Sequence, residues 1–259
     1  IKLHGYITLP PNYKEGEKIP FIIHPHGGPN ARDYWGYNPE VQFYATRGYG
    51  VIQMDYRGST GYGRKEMILA NHQMGKKMQE DKYDALMWAN DQGYVDMDNV
   101  CISGASYGGY AAMQAATKNP ELFKCIIAYV GVYDLTSMDL RGLQWSELGM
   151  PMEYIEKGDP RDPDDYKNLY ENSPLFFAEN VEDPILIITG RRDTQVRLQE
   201  TVDMVNELKK YNKDYKYIIK GEEGHGFRRE TARLELFQDY EEFLACLLYT
   251  SDAADESSS

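Results

Sequence analysis

A serine flanked by glycines, Ser106, is the residue whose surroundings most clearly indicate chemistry. It lies in Gly-Ala-Ser-Tyr-Gly at residues 104–108, after an apolar run at 100–102 and before small, helix-forming residues. A Gly-x-Ser-x-Gly segment between a strand and a helix is typical of a nucleophile elbow, a strained turn that projects the serine hydroxyl above a sheet. Gly104 and Gly108 leave room for that turn. The segment predicts that Ser106 is a nucleophile for acyl transfer.

A nucleophilic serine needs a base and a carboxylate that orients the base. In α/β-hydrolases these residues follow in the order Ser, Asp or Glu, His. Only one histidine follows Ser106, His225 in a glycine-flanked loop, so it is the predicted base. Asp193 comes shortly after a buried strand predicted at 184–190, and catalytic groups collect at the carboxyl ends of such strands. We predict Asp193 as the acid, with capping of the next helix as the alternative.

Acyl transfer also needs donors for the oxyanion, usually two of them. The backbone amide of Tyr107, at the start of the predicted helix, is one candidate. The second is predicted at Gly28 in the His-Gly-Gly-Pro segment at 26–29. Glycines there let backbone N–H groups approach a reacting carbonyl without side-chain obstruction. The alternative for this segment is an ordinary turn that ends a strand.

Three apolar or aromatic residues support a weaker hypothesis about substrate binding. Val132 and Tyr133 follow a strand predicted at 123–130, and Val196 follows the predicted acid. We predict that these side chains line a hydrophobic slot for the residue before the scissile bond. The alternative is that Val132 and Tyr133 belong to the core.

The elements that must position these residues alternate along the chain. Strands are predicted at 1–9, 19–24, 50–55, the run before Ser106, 123–130, 184–190 and 216–219, and helices at 40–47, 77–90, after Ser106, 197–210 and 228–247. Loops and short helices are expected over 131–180. Strands alternating with helices predict an α/β fold with a mainly parallel sheet and helices on both faces. Together with the nucleophile elbow and the order Ser, Asp, His, this predicts the α/β-hydrolase fold.

Composition excludes several classes of function. A net charge of −13 over 259 residues argues against nucleic acid as a partner. Three widely spaced cysteines predict neither a disulfide framework nor a metal site, and no cofactor is predicted. The sequence contains no run of 18 apolar residues, so no membrane-spanning helix is predicted. The compartment, cytoplasmic or periplasmic, is not indicated. Residues 247–259 break the pattern and are expected to be a non-native or disordered tail.

Five segments in this order resemble the catalytic domain of the prolyl oligopeptidase family, with the acylaminoacyl-peptidase and dipeptidyl-peptidase-like branches most similar. They are His-Gly-Gly-Pro at 26–29, Asp-Tyr-Arg-Gly-Ser-Thr-Gly-Tyr-Gly at 55–63, Gly-Ala-Ser-Tyr-Gly-Gly-Tyr at 104–110, Gly-Arg-Arg-Asp-Thr-Gln-Val at 190–196 and Gly-His-Gly-Phe at 224–227. The resemblance covers residues 1–246. It implies a serine peptidase with Ser106, Asp193 and His225 as triad and the Gly28 and Tyr107 amides as oxyanion hole.

The resemblance also implies an N-terminal β-propeller in the full-length protein, expected to be absent from this fragment. Without such a lid, we expect an exposed apolar patch around Tyr107, Tyr133 and Trp145.

The residues and the resemblance together predict a metal-free serine peptidase that cleaves short peptides through an acyl-enzyme. A carboxylesterase or lipase on the same fold is one alternative, because fold and triad do not choose between amides and esters. A catalytically silent binding domain is the other.

Overall fold

A computed structural model describes residues 1–137 and 156–248. The strands in these ranges are β1 His4–Thr8, β2 Ile19–Ile23, β3 Gly50–Asp55, β4 Val95–Ala105, β5 Cys125–Tyr129, β6 Ile185–Gly190 and β7 Tyr215–Lys220. The α-helices are α1 Pro39–Ala45, α2 Arg64–Ile68, α3 Lys77–Asp91, α4 Tyr107–Lys118, α5 Pro163–Glu171, α6 Leu198–Lys210 and α7 Glu230–Leu248. Short 3₁₀ segments lie at Pro120–Leu122, Leu135–Ser137 and Pro174–Asn180.

The described strands form one sheet in the order β1-β3-β2-β4-β5-β6-β7. Only β1 runs antiparallel to its neighbour, so the sheet is mainly parallel, as predicted. The strand β4 begins at Val95, before the apolar run at 100–102, because Val95 pairs with Ile19 ahead of an irregularity in the ladder. The strand leading to Ser106 therefore lies in the middle of the sheet, with three strands on each side.

Two apolar layers cover the sheet, one on each face. Phe21 and Ile23 of β2 pack with buried side chains of α3, α4 and α6. The intervening Ile22 packs on the opposite face with α1 and α7. This alternation explains why the central strands are apolar at nearly every position, since both of their faces are buried.

The disposition of two cysteines corrects the sequence analysis. Cys101 on β4 and Cys125 on β5 are register partners in the parallel ladder, with Cα atoms 4.8 Å apart, and a disulfide joins them. The expectation that neither forms a disulfide is wrong, because the register, not the 24-residue separation along the chain, brings them together.

The last described helix, α7, extends into the expected tail. The first two residues of the expected tail, 247 and 248, belong to α7, and 249–259 lie outside the described residues. Across the described ranges, no helix has both the length and the apolar character that a membrane span requires.

Candidate active site

Ser106 occupies the sharp turn between β4 and α4. Its backbone adopts φ 58° and ψ −117°, a conformation that non-glycine residues rarely adopt. Two hydrogen bonds hold it there: the Ser106 amide donates to Tyr129 O at 2.9 Å, and the Tyr110 amide donates to Ser106 O at 2.9 Å. Such strain persists only where the surroundings over-determine it. The predicted strand–turn–helix arrangement is confirmed.

Close backbone packing explains the glycines around the serine. A Cβ atom at Gly104 would lie 2.7 Å from Gly108 C, and one at Gly108 would lie 2.2 Å from Pro25 O. At Gly109, a Cβ would lie 2.7 Å from Tyr129 O. These separations are below van der Waals contact, so a side chain at any of the three positions would force the elbow apart.

His225 and Asp193 complete a continuous relay with the serine. His225 Nε2 lies 2.9 Å from Ser106 Oγ, and His225 Nδ1 lies 2.8 Å from Asp193 Oδ2. The Asp193 side chain is fully buried, and that of His225 is 16% exposed. A carboxylate at Nδ1 favours the tautomer with the proton on Nδ1, which leaves Nε2 free to accept the serine proton.

The two oxygens of Asp193 have different partners. Oδ2 faces the histidine, while Oδ1 accepts the amides of Gln195 and Val196 at 2.8 Å each. The capping alternative is wrong, because α6 begins at Leu198 with Arg197 at its N-cap, and the Asp193 carboxylate only shapes the turn before the helix. The two amides of the turn hold the Asp193 carboxylate independently of its contact with His225.

A buried glutamate holds the histidine loop in place. Glu223 is 3% exposed and accepts the Arg228 amide at 2.8 Å and Arg229 Nε at 2.5 Å. The Arg229 guanidinium lowers the pKa of the Glu223 carboxyl. The loop also packs against the end of β6, where a Cβ at Gly190 would lie 2.4 Å from Glu223 O. Sequence reasoning missed Glu223; an acid before a glycine-flanked histidine and followed by two arginines was the available signal.

The glycine loop after β2 lies directly against the elbow. A Cβ at Gly27 would lie 3.4 Å from Ser106 Cβ and 3.1 Å from Ala105 O. Gly28 follows with φ 131°, a conformation that favours glycine. This loop and the first residue of α4 flank the nucleophile, and the assignment of the Gly28 and Tyr107 amides as oxyanion donors stays a prediction.

The histidine that precedes these glycines anchors their loop to the segment after β3. His26 Nδ1 lies 2.7 Å from Gly27 O, and His26 Nε2 lies 2.9 Å from Ser59 Oγ. The Tyr56 ring stacks on the imidazole at 4.3 Å, and its hydroxyl donates to His26 O at 3.0 Å. Burial lowers the pKa of His26, so the neutral imidazole is favoured. Through Tyr56 and Ser59, the glycine-rich segment at 55–63 thus holds His26 and the Gly27–Gly28 loop that follows it.

The side chains predicted to bind substrate are mostly buried. Tyr133 is fully buried in the core and its amide donates to Glu200 Oε2 at 2.8 Å, which favours the core alternative for this residue. Val132 is half-buried and Val196 is 6% exposed. The expected exposed patch is wrong at Tyr107, 4% exposed, and at Tyr133, because both rings point into the protein. Trp145 lies outside the described residues.

A cleft of about 350 Å³ opens beside His225. Charged side chains form much of its wall, and Arg192 pairs with Glu222 across it at 2.6 Å. None of the residues predicted to form the hydrophobic slot lines this cleft, and the slot stays a prediction. Within the residues that the structure describes, no group of three or more His, Cys, Asp or Glu side chains could hold a metal ion.

Comparison with known families agrees with this geometry. The stretch from residue 35 to residue 250 matches Peptidase_S9, the prolyl oligopeptidase family. The chain belongs to the prolyl oligopeptidase family. Residues 104–110, 190–196 and 224–227 all lie inside the matched stretch, and they contribute the three side chains of the relay.

Individual members of the prolyl oligopeptidase family are similar along most of the chain. Dipeptidyl aminopeptidase BIII of Pseudoxanthomonas mexicana is 36% identical over 236 residues, which are 88% of this chain and 34% of that protein. A puromycin-hydrolyzing peptidase of Mycobacterium tuberculosis superposes with a TM-score of 0.84 at 28% identity, covering 96% of this chain and 38% of that one. Acylaminoacyl peptidase of Pyrococcus horikoshii gives 0.84 at 27% identity, covering 97% and 41%. The fold is therefore the α/β-hydrolase fold, and the chain spans about a third of the length of the relatives.

Proposed function

We propose that this chain is the catalytic domain of a serine peptidase that hydrolyses peptide bonds of short peptides through an acyl-enzyme on Ser106. The observation that carries the proposal is the continuous relay of Asp193, His225 and Ser106, with heavy-atom separations of 2.8 and 2.9 Å. Membership of the prolyl oligopeptidase family supports the same chemistry.

The relay supports a two-step reaction. As Ser106 Oγ bonds to the substrate carbonyl carbon, its proton passes to His225 Nε2 and the carbonyl oxygen becomes an oxyanion. The C–N bond then breaks, and the imidazolium returns its proton to the leaving amine. In the second step, a water molecule gives its proton to His225 and attacks the ester carbonyl carbon. The bond from that carbon to Ser106 Oγ then breaks, the imidazolium returns its proton to Oγ, and the acid is released.

The oxyanion forms where two backbone arms approach the nucleophile. We assign its stabilisation to the amides of Gly28 and Tyr107, because the Gly27–Gly28 loop packs on the elbow and Tyr107 begins α4. The first amides of a helix have no partner within the helix and point toward its N-terminal end. Removing one such donor typically lowers kcat by about 10²–10³.

Peptides are the proposed substrates because the similar proteins include a dipeptidyl aminopeptidase, a puromycin-hydrolyzing peptidase and an acylaminoacyl peptidase. Because the match to this chain covers only 34–41% of those proteins, we propose that the whole protein adds an N-terminal propeller over the active site. Remote contacts from that domain would position peptides, so peptide turnover should depend on it more than turnover of a small ester.

Labelling with a fluorophosphonate, located by peptide mass spectrometry, tests the nucleophile. We expect one label on Ser106, none in Ser106→Ala, and retained labelling in Ser103→Ala, a matched control on the strand that leads to Ser106, where the hydroxyl instead bonds to Tyr44. A label that persists in Ser106→Ala would overturn the proposal. A folded wild type that takes no label and turns over no substrate would favour the silent binding domain. Turnover of aliphatic esters without turnover of peptide amides, by the full-length protein, would favour the esterase.

A further inference from the structure

A lysine lies buried in the protein interior behind the proposed oxyanion hole. Lys82, on α3, is 1% exposed, and its ammonium donates to Met78 O at 2.6 Å. The preceding residue, Asp81, gives its carboxylate to Arg57 through both oxygens. No carboxylate forms an ion pair with Lys82 among the residues that the structure describes.

Two tyrosine rings are the other neighbours of the ammonium. Lys82 Nζ lies 4.0 Å from the centroid of the Tyr56 ring and 5.2 Å from that of Tyr107. A cation over an aromatic face is attracted to the negative face of the ring, more strongly where water is excluded. The charge is thus held by two rings and one carbonyl oxygen.

Each of these tyrosines belongs to one arm of the oxyanion hole. Tyr107 carries one of the proposed donor amides on its own backbone. Tyr56 stacks on His26 and donates to His26 O, directly before Gly27 and Gly28. The two rings are also in contact, with centroids 5.2 Å apart. The Lys82 ammonium therefore contacts a ring from each of the two arms.

We propose that Lys82 is a positioning residue for the oxyanion hole, whose buried ammonium packs against Tyr56 and Tyr107 and adds positive potential to the site where the oxyanion forms. This proposal rests on the proposed function. Among the described residues, the neighbouring cation Arg57 is already paired with Asp81. The side chains of Tyr107 and Tyr110 are buried but carry no positive charge.

Titration of this lysine makes the proposal measurable. Burial lowers the pKa of Lys82 to about 7, while the charge of Asp81 acts in the opposite direction. The other groups that face it are His26, whose pKa burial lowers, and, beyond the imidazole, the carboxylates of Asp33 and Asp55. The ammonium is therefore present at acidic pH and is lost as the pH rises through about 7.

The test compares kcat/KM for a p-nitrophenyl ester in wild type and Lys82→Met, from pH 6 to pH 9. Methionine keeps the length of the side chain and removes the charge. A unit charge at roughly 10 Å with an effective dielectric constant of about 20 changes the rate by about tenfold. We expect a wild-type to Lys82→Met ratio of about ten at pH 6 that falls to about one at pH 9.

Two further variants keep the test decisive. Lys82→Arg retains its charge at every pH, so its ratio to wild type should rise as the pH passes 7, whether or not Lys82→Met folds. Lys118→Met, at an exposed lysine on α4 that bonds to Asn172, should give a ratio to wild type that does not vary with pH.

Ratios for both Lys82 variants that stay constant over the whole range would overturn the proposal and leave Lys82 a packing residue. Fluorophosphonate labelling of wild-type Ser106 separates that failure from failure of the proposed function, since labelling does not depend on the ratio. Absence of both labelling and turnover would remove the proposed function and this inference with it.

Discussion

The substitution Asp193→Asn separates the two tasks of the buried carboxylate. Asparagine retains one oxygen, which can still accept the amides of Gln195 and Val196 that Oδ1 accepts now. The amide nitrogen then replaces Oδ2 opposite His225 Nδ1. Because that nitrogen donates, it forces the imidazole to accept at Nδ1 and to carry its proton on Nε2, where it cannot take the proton of Ser106.

The expected loss for Asp193→Asn is about 10³–10⁴ in kcat, which is about 4–5.5 kcal/mol of transition-state stabilisation. Stability should change by less than about 1 kcal/mol, because the turn keeps its two hydrogen bonds. Turnover of a p-nitrophenyl ester and urea unfolding measure the two quantities. Asp203→Asn, at a half-buried aspartate on α6 that bonds to Gln199, is the matched control and should leave both unchanged. A loss of less than tenfold in kcat would show that Asp193 does not orient the base.

Three further predictions concern the scaffold around the site. Gly108→Ala should cost about 3 kcal/mol or more in urea unfolding, since its Cβ would lie 2.2 Å from a backbone oxygen, whereas Gly221→Ala, with open space at that position, should cost less than about 1 kcal/mol. Lys82→Met should raise Tm at pH 7, and the gain should shrink toward pH 10: the folded pKa of Lys82 is lowered, so the unfolded chain binds more protons between these values and wild-type stability rises with pH. A gain that does not vary with pH would contradict this. Reduction of the Cys101–Cys125 disulfide should lower the free energy of unfolding by about 3 kcal/mol. Without reductant, neither cysteine should be alkylated in urea, because both sulfurs are in the disulfide. Alkylation of either one without reductant would show that the bond is absent.

Much of the site could be predicted because its requirements are local. The elbow needs residues without side chains on both sides of Ser106, and glycines at those positions are visible in one sequence. Chain order then assigns His225, since a single histidine follows the serine. The central strands could also be predicted, because a strand that is buried on both faces is a continuous apolar run in the sequence.

Features that depend on how distant segments meet could not be predicted. The pairing of Cys101 with Cys125 follows from the register of β4 and β5, which no spacing along the chain reveals. The short helix α2 has no buried residue and thus no apolar periodicity to indicate it.

The orientation of the helices was also inaccessible. An apolar pattern through Tyr83, Leu86 and Met87 predicts α3, but its buried face includes Lys82, and Met87 is 37% exposed. A lysine in a helix ordinarily indicates the solvent side. The expected exposed patch at Tyr107 was wrong for the same reason, because α3 and the segment after β3 cover that ring.

Trapping of the acyl-enzyme is the measurement that tests the central claim most directly. The protein is mixed with p-nitrophenyl acetate, quenched in acid within the first turnover and digested, and the acetyl group is located by mass spectrometry. We predict acetylation on Ser106, with none in Ser106→Ala and strongly reduced acetylation in His225→Ala. Acetylation of another residue in wild type, or turnover of the ester with no acetyl group on Ser106, would contradict the account.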